Sequence, residues 1–169
     1  MGLQQVATTT IDSSSKTSSL SLTGINDDSV YLFTFSNMNV EQDITLGLRF
    51  TISGSPFAFS NYAFARKQMN ANGSFSNVTG ASQSFVNMSI VTDTTCFASG
   101  FMYLYDFNDS SEFSYCTLNF ITSNSGSGDS QGTTGGAVLQ SAGSADGVNF
   151  VTASGYEINS GVYSLFKVV

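Results

Sequence analysis

The chain contains no histidine and no tryptophan among its 169 residues. Histidine is the commonest general base and a frequent metal ligand, so its absence excludes Ser-His-Asp and Cys-His arrangements and most zinc and iron sites. Without tryptophan the best aromatic stacking platform is also missing, although tyrosine and phenylalanine can replace it. The sequence therefore predicts a protein that is not an enzyme.

Charge is scarce as well, because only 10% of the residues are charged and the net charge is −7. The five basic residues are too few for the phosphate contacts that dominate nucleic-acid binding. No run approaches the ~18 apolar residues of a membrane-spanning helix, and the N-terminus lacks a signal-peptide pattern. We therefore expect a protein that is made in the cytoplasm and binds neither nucleic acid nor membranes.

The acidic residues that could form a catalytic pair or bind a cation occur in two clusters. Asp106, Asp109 and Glu112 lie in DFNDSSE, and Asp27 and Asp28 lie in INDD. Aspartate is favoured in turns because its side chain bonds to nearby backbone groups, and the spacing lacks the full ligand series of a calcium loop. We therefore predict no catalytic residue, no cofactor and no metal site, with a weak surface cation site as the alternative.

The chain has two cysteines, too few for a disulfide-rich secreted scaffold. Cys116 alternates with Leu118 and Phe120 in FSYCTLNF. This pattern predicts a buried free thiol, because free cysteine behaves as a small apolar residue. A disulfide between Cys96 and Cys116 is the alternative.

Apolar residues recur with a period of two along the chain, and nothing sustains a helical period. The segment ITLGLRFTI (44–52) alternates regularly, and GVYSLFKV (161–168) predicts a last strand held in a sheet. GFMYLYDF (100–107) carries large side chains on both faces, which is typical of a strand that is central or covered on both sides. Turn signals separate many short strands. We therefore expect an all-β, single-domain antiparallel β-sandwich that is jelly-roll-like.

The predicted domain organisation is an N-terminal arm over residues 1–16 followed by the sandwich over residues 17–169. A Gly/Ser-rich run at 123–136 predicts a long surface loop within that domain. Leu3 and Val6 of the arm could be buried against a partner or a neighbouring edge strand. Phe57 and Phe59, in the aromatic stretch SPFAFSNYAF, are the other candidate partner contacts, although core packing is the main use expected for that stretch.

The closing segment ADGVNFVTASGYEINSGVYSLFKV carries the pattern G-[IV]-x-F…S-G…I-x-x-G-x-[FY]-x-L-[YF], with one extra position before the isoleucine. The pattern falls on Gly147, Val148, Phe150, Ser154, Gly155, Ile158, Gly161, Tyr163, Leu165 and Phe166. Together with SSLSLTGINDDSVYLFTFSNMN near the N-terminus, it resembles small β-sandwich virion surface proteins and tail-fibre-type domains of tailed bacteriophages, many of them marine or cyanobacterial.

This resemblance implies a structural protein of the phage virion and marks no catalytic or cofactor residue. The function expected from it is a capsid decoration (cement or knob) protein on the outer surface of the phage head. Its partner would be the lattice of the major capsid protein, and possibly a second copy of the same chain. The alternative is a tail-fibre or receptor-binding module that recognises a host-surface glycan.

Overall fold

The computed structural model describes residues 2–41, 44–91, 96–123, 130–152 and 155–169. This part of the chain is built from β-strands, and it includes no helix long and apolar enough to cross a membrane. In chain order its strands are β1 (Leu3–Ile11), β2 (Ser19–Thr23), β3 (Tyr31–Val40), β4 (Ile44–Ile52), β5 (Ser55–Pro56), β6 (Tyr62–Asn70), β7 (Phe75–Gln83), β8 (Val86–Val91), β9 (Ala98–Tyr105), β10 (Ser114–Ser123), β11 (Ser130–Leu139), β12 (Ala145–Thr152) and β13 (Ile158–Val168).

The strands form two antiparallel sheets whose order is that of a jelly roll. The larger sheet has eight strands in the order β1-β13-β3-β9-β10-β11-β6-β7, and the smaller has the order β2-β12-β4-β5, with β8 also pairing with β4. Strands β1-β13-β3-β9 therefore form one half of the roll and β2-β12-β4-β8 form the other. This arrangement confirms the predicted all-β antiparallel sandwich.

Two hairpins extend the larger sheet beyond β9. One is β6–β7 and the other is β10–β11, and they join because β11 pairs with β6. Arg66 of β6 ties this extension to the smaller sheet, since its Nε donates to the Asn87 carbonyl oxygen at 3.0 Å and its Nη2 donates to Asn87 Oδ1 at 3.2 Å. Burial lowers the pKa of the Arg66 guanidinium.

Aromatic rings from both sheets meet in the core. The ring of Phe150, on β12, lies 5.2 Å from that of Phe33, 5.6 Å from that of Phe35 and 6.0 Å from that of Tyr163, between centroids. All four side chains are buried. Burying each one contributes about 1.5–3 kcal/mol, so this cluster is a main attachment between the layers.

The segment predicted as an N-terminal arm is part of the sandwich. Strand β1 pairs antiparallel with β13 from Leu3 opposite Val168 to Ile11 opposite Gly161. Strand β13 itself lies between β1 and β3, so the last strand is held in a sheet as predicted. The sequence did not predict β1 because it is an edge strand that is mostly exposed and rich in threonine, and an edge strand needs few apolar residues.

The predicted Gly/Ser-rich loop at 123–136 also differs from the structure. Ser123 ends β10, residues 130–136 belong to β11, and residues 124–129 lie outside the described part of the chain. Strand β11 sits between β10 and β6, and a Cβ at Gly135 would lie 2.3 Å from the Ala65 carbonyl oxygen. Glycine at position 135 therefore allows β11 and β6 to approach closely, and it does not indicate a flexible loop.

The two cysteines are buried and are not joined by a disulfide. Cys116 faces the core on the same side of β10 as Leu118 and Phe120. The prediction of a buried thiol is therefore confirmed for Cys116. Its burial raises the pKa of the thiol to about 12, because the apolar interior disfavours the thiolate.

We expect Ellman's reagent at pH 8 to label neither cysteine of the folded protein and to label both after denaturation, because both side chains are buried in the folded protein. The pKa of the Cys116 thiol is 9.0 when the side chain is exposed to water and about 12 in the folded protein. Its contribution to the free energy of unfolding is therefore complete below pH 9 and falls as the pH rises above 9. Rapid labelling of the native protein would contradict this burial.

Candidate binding surface on the eight-stranded sheet

Among the carboxylates considered as candidate sites, Asp109 and Asp27 are engaged by neighbouring side chains or backbone groups. Asp109 Oδ1 accepts from the backbone N–H of Ser111 at 2.8 Å and from its hydroxyl at 2.7 Å, and these bonds lower the pKa of the carboxyl group. Asp27 forms an ion pair with Lys167 and accepts from the Tyr31 hydroxyl at 3.0 Å. Across the described residues, no three His, Cys, Asp or Glu side chains gather as a metal site would require.

The candidate binding surface is the outer face of the eight-stranded sheet, which is the side turned away from the smaller sheet. Strand β9 defines the two sides, because Met102 and Leu104 are fully buried whereas Phe101 and Tyr103 are 42% and 36% exposed. The ladder places Leu32 of β3 beside Tyr103 on the same outer side. Strand β9 is therefore central in its sheet, as one of the two predicted alternatives, but its outer face is not covered.

An aromatic ridge runs along the middle of this outer face. It consists of Phe101, Tyr103 and Tyr105 on β9 and Tyr115 on β10, which lies opposite Tyr105. Ring centroids are 6.0 Å apart for Phe101 and Tyr103 and 6.4 Å apart for Tyr103 and Tyr105. The first pair is edge-to-face, with planes at 81°, so the ridge is a raised apolar line rather than a flat stacking platform.

Two shallow apolar troughs adjoin the ridge, each with a volume of about 520 Å³. The first lies towards β6, where Ala63, Ala65 and Gly136 present little or no side chain. The second lies towards the opposite ends of β9 and β10, and is lined by Thr34, Asn119 and Ile121 among others. A raised aromatic line beside two hollows can interlock with a protein surface of complementary shape.

Charge is nearly absent from this outer face. Among the outward-facing residues of the described strands in this sheet, Lys67 is the one charged side chain, and its Nζ lies 4.7 Å from the centroid of Phe75 near the sheet edge. The acidic residues of the described chain lie in the connecting turns or, for Asp146, on the smaller sheet. A chain of net charge −7 thus presents a face with one charged side chain, flanked by acidic ends.

The residues predicted as partner contacts do not come together. Leu3 is 55% exposed on the edge strand β1, while Val6 of that strand is half-buried against the core. Phe57 is also half-buried, and its ring centroid lies 5.0 Å from that of Phe59, which is 68% exposed. These two lie between β5 and β6, on the far side of the sandwich from β1.

Comparison with known proteins does not identify a relative. No protein-family model matches the chain, and no curated protein matches it. Among solved structures, the outer membrane protein OprG from Pseudomonas aeruginosa is similar at 8% identity and a TM-score of 0.21, covering 85% of this chain and 99% of that chain. A structure of infectious bursal disease virus, Gx strain, is similar at 11% identity and a TM-score of 0.11, covering 99% of this chain and 38% of that chain. Likeness at these scores carries no argument about fold or function.

Proposed function

We propose that this protein is a non-enzymatic structural protein of a tailed-phage virion, a decoration protein bound to the outer surface of the head. The observation that carries the proposal is the outer face with its central aromatic ridge and its single charged side chain, Lys67, among the described strands. The cores of protein interfaces are depleted of charged residues and enriched in tyrosine and phenylalanine, with polar residues at the rim. On this face, apolar residues such as Leu32 and Ile121 adjoin the ridge, and threonine, asparagine and glutamine occur on the edge strands β1 and β7.

The size of the face supports attachment to another protein. Eight strands spaced about 4.8 Å apart and roughly nine residues long give a face of about 1,000 Å². A stable protein interface buries about 800 Å² on each partner. The outer face is therefore large enough for a specific complex without contributions from the loops.

Binding of this kind stabilises a shell without any chemical step. A protein that binds the assembled lattice, and not its separated subunits, shifts the assembly equilibrium by mass action. The acidic turns at the two ends of the sandwich keep copies soluble and deter contact through those ends. The jelly-roll fold does not indicate which function the protein has, because proteins with one fold can have many different functions.

The location of the protein on purified virions tests the proposal. We expect an antibody against this chain to label heads in electron micrographs, at a copy number comparable with that of the major capsid protein. Labelling confined to the tail, at the copy number of a fibre, would overturn head decoration and support the receptor-binding alternative. Absence from the virion would overturn both.

A further inference from the structure

Strand β7 ends the eight-stranded sheet, and its residues 75–79 have none of the usual features that prevent edge pairing. The irregularity in its pairing with β6 lies beyond them, between Gly80 and Gln83. Among the described strands β7 pairs only with β6, and most of its nine residues are exposed. Its sequence, FSNVTGASQ, contains no charged residue and no proline. Natural edge strands normally carry lysine, proline or an inward-facing charge, because an open ladder accepts another strand.

The hairpin that joins β6 and β7 determines which backbone groups face the open edge. The Asn70 N–H donates to the Ser74 carbonyl oxygen at 2.9 Å and closes the turn. Hydrogen-bonded and non-hydrogen-bonded pairs alternate along an antiparallel ladder, so Ser76 and Val78 bond towards β6. The N–H and C=O groups of the alternate residues therefore point outward. These residues are Phe75, Asn77 and Thr79.

We propose that two copies of this protein pair through β7 about a two-fold axis at Asn77. Asn77 then lies opposite Asn77 of the second copy, and Phe75 lies opposite Thr79 at both ends of the contact. The three pairs are all of the hydrogen-bonded type and supply about six backbone hydrogen bonds. Aromatic side chains beside threonine are a favourable cross-strand combination.

Electrostatics permits this contact although each copy carries a net charge of −7. The charged side chain nearest the axis on this face is Lys67, one strand inward and over the ring of Phe75. The two copies of Lys67 would be three strand spacings apart, or about 14 Å. That separation exceeds the Debye length of about 8 Å at physiological salt, so their repulsion is screened.

The two-fold axis makes the pair a closed dimer rather than a growing fibre, because the same strand is used on both sides. The axis is perpendicular to the sheet, so the sheet continues from one copy into the next. Both aromatic ridges then face the same way. If the outer face attaches to the virion head as proposed above, the dimer presents two attachment surfaces at once and gains avidity.

Cysteine cross-linking of the full chain tests the register. Residues in a hydrogen-bonded pair have Cα atoms about 5.5 Å apart, within the disulfide range. We expect Asn77→Cys to give a disulfide-linked dimer under mild oxidation. Thr8→Cys is the matched control, because Thr8 is exposed on the opposite edge strand, and it should form no disulfide-linked dimer. The native cysteines are buried and do not compete.

Light scattering provides a second, independent measurement. The unaltered protein should have twice the 17.9 kDa mass of one chain. The Asn77→Lys variant should have the mass of one chain, because it places two like charges opposite each other across the contact. Circular dichroism and the melting temperature report whether that variant folds. An unaltered protein that is monomeric, a dimer that persists in Asn77→Lys, or open-ended filaments would each overturn the pairing. Because these measurements use purified protein without virions, their failure leaves the head-attachment test unaffected.

Discussion

Replacing Phe101 and Tyr103 together with threonine is expected to weaken binding to phage heads by at least about a hundredfold, because buried aromatic residues at an interface centre contribute about 2 kcal/mol or more each. Threonine keeps a high β-propensity and removes only the raised rings, so the ladder of β9 is preserved. The measurement is the dissociation constant for heads stripped of this protein. Both side chains are exposed, so the unfolding free energy should change little.

Phe59→Thr is the matched control for this pair of substitutions. It also removes an exposed phenylalanine, but from the segment between β5 and β6 that holds the other candidate partner contacts named from the sequence. We expect this variant to bind heads with unchanged affinity. If Phe59→Thr abolishes binding while Phe101→Thr with Tyr103→Thr does not, the attachment surface is not the outer face of the large sheet.

The variant Phe150→Ala is expected to lower the free energy of unfolding by about 3–5 kcal/mol, the range for a large aromatic residue removed from a packed core. Phe150 is fully buried and touches rings from β3 and β13, so the cavity would open between the two layers. Chemical denaturation measures this loss as a lower midpoint with an unchanged slope. A change in slope would indicate that the variant also alters the compactness of the folded or unfolded state.

Phe59→Ala serves as the control for core packing, because it removes the same atoms from an exposed position. We expect it to cost less than about 1 kcal/mol. A loss of the same size in both variants would contradict the placement of Phe150 at the junction of the two sheets. Cooperative unfolding of the unaltered chain is the condition for interpreting either value.

Several features of the fold follow from local pattern alone. Alternation in ITLGLRFTI predicts one buried face, and Leu46, Leu48 and Phe50 are indeed buried on β4. The same reasoning identifies β13 as a strand held within a sheet, where it lies between β1 and β3. These predictions succeed because a half-buried strand places every second side chain in the core, which leaves a period of two in the sequence.

Strands without that pattern were not predicted. β1 and β7 are mostly exposed edge strands, and most of β11 fell in a segment whose glycine and serine content predicts a loop. Such segments form strands because their backbone N–H and C=O groups hydrogen-bond to neighbouring strands. Those neighbours come from distant parts of the chain, so the local sequence does not reveal them. The proposed β7 contact could not be predicted from the sequence for the same reason.

The absence of histidine, the scarcity of charge and the alternating apolar residues were enough, by themselves, to predict a strand-built sandwich and to argue against familiar catalytic sites. The sequence could not indicate which side of β9 is covered, because Phe101 and Tyr103 are as apolar as Met102 and Leu104. Only the packing of the smaller sheet against one side decides that question. A five-stranded sheet covers one side of the eight-stranded sheet, and the aromatic ridge remains on the other.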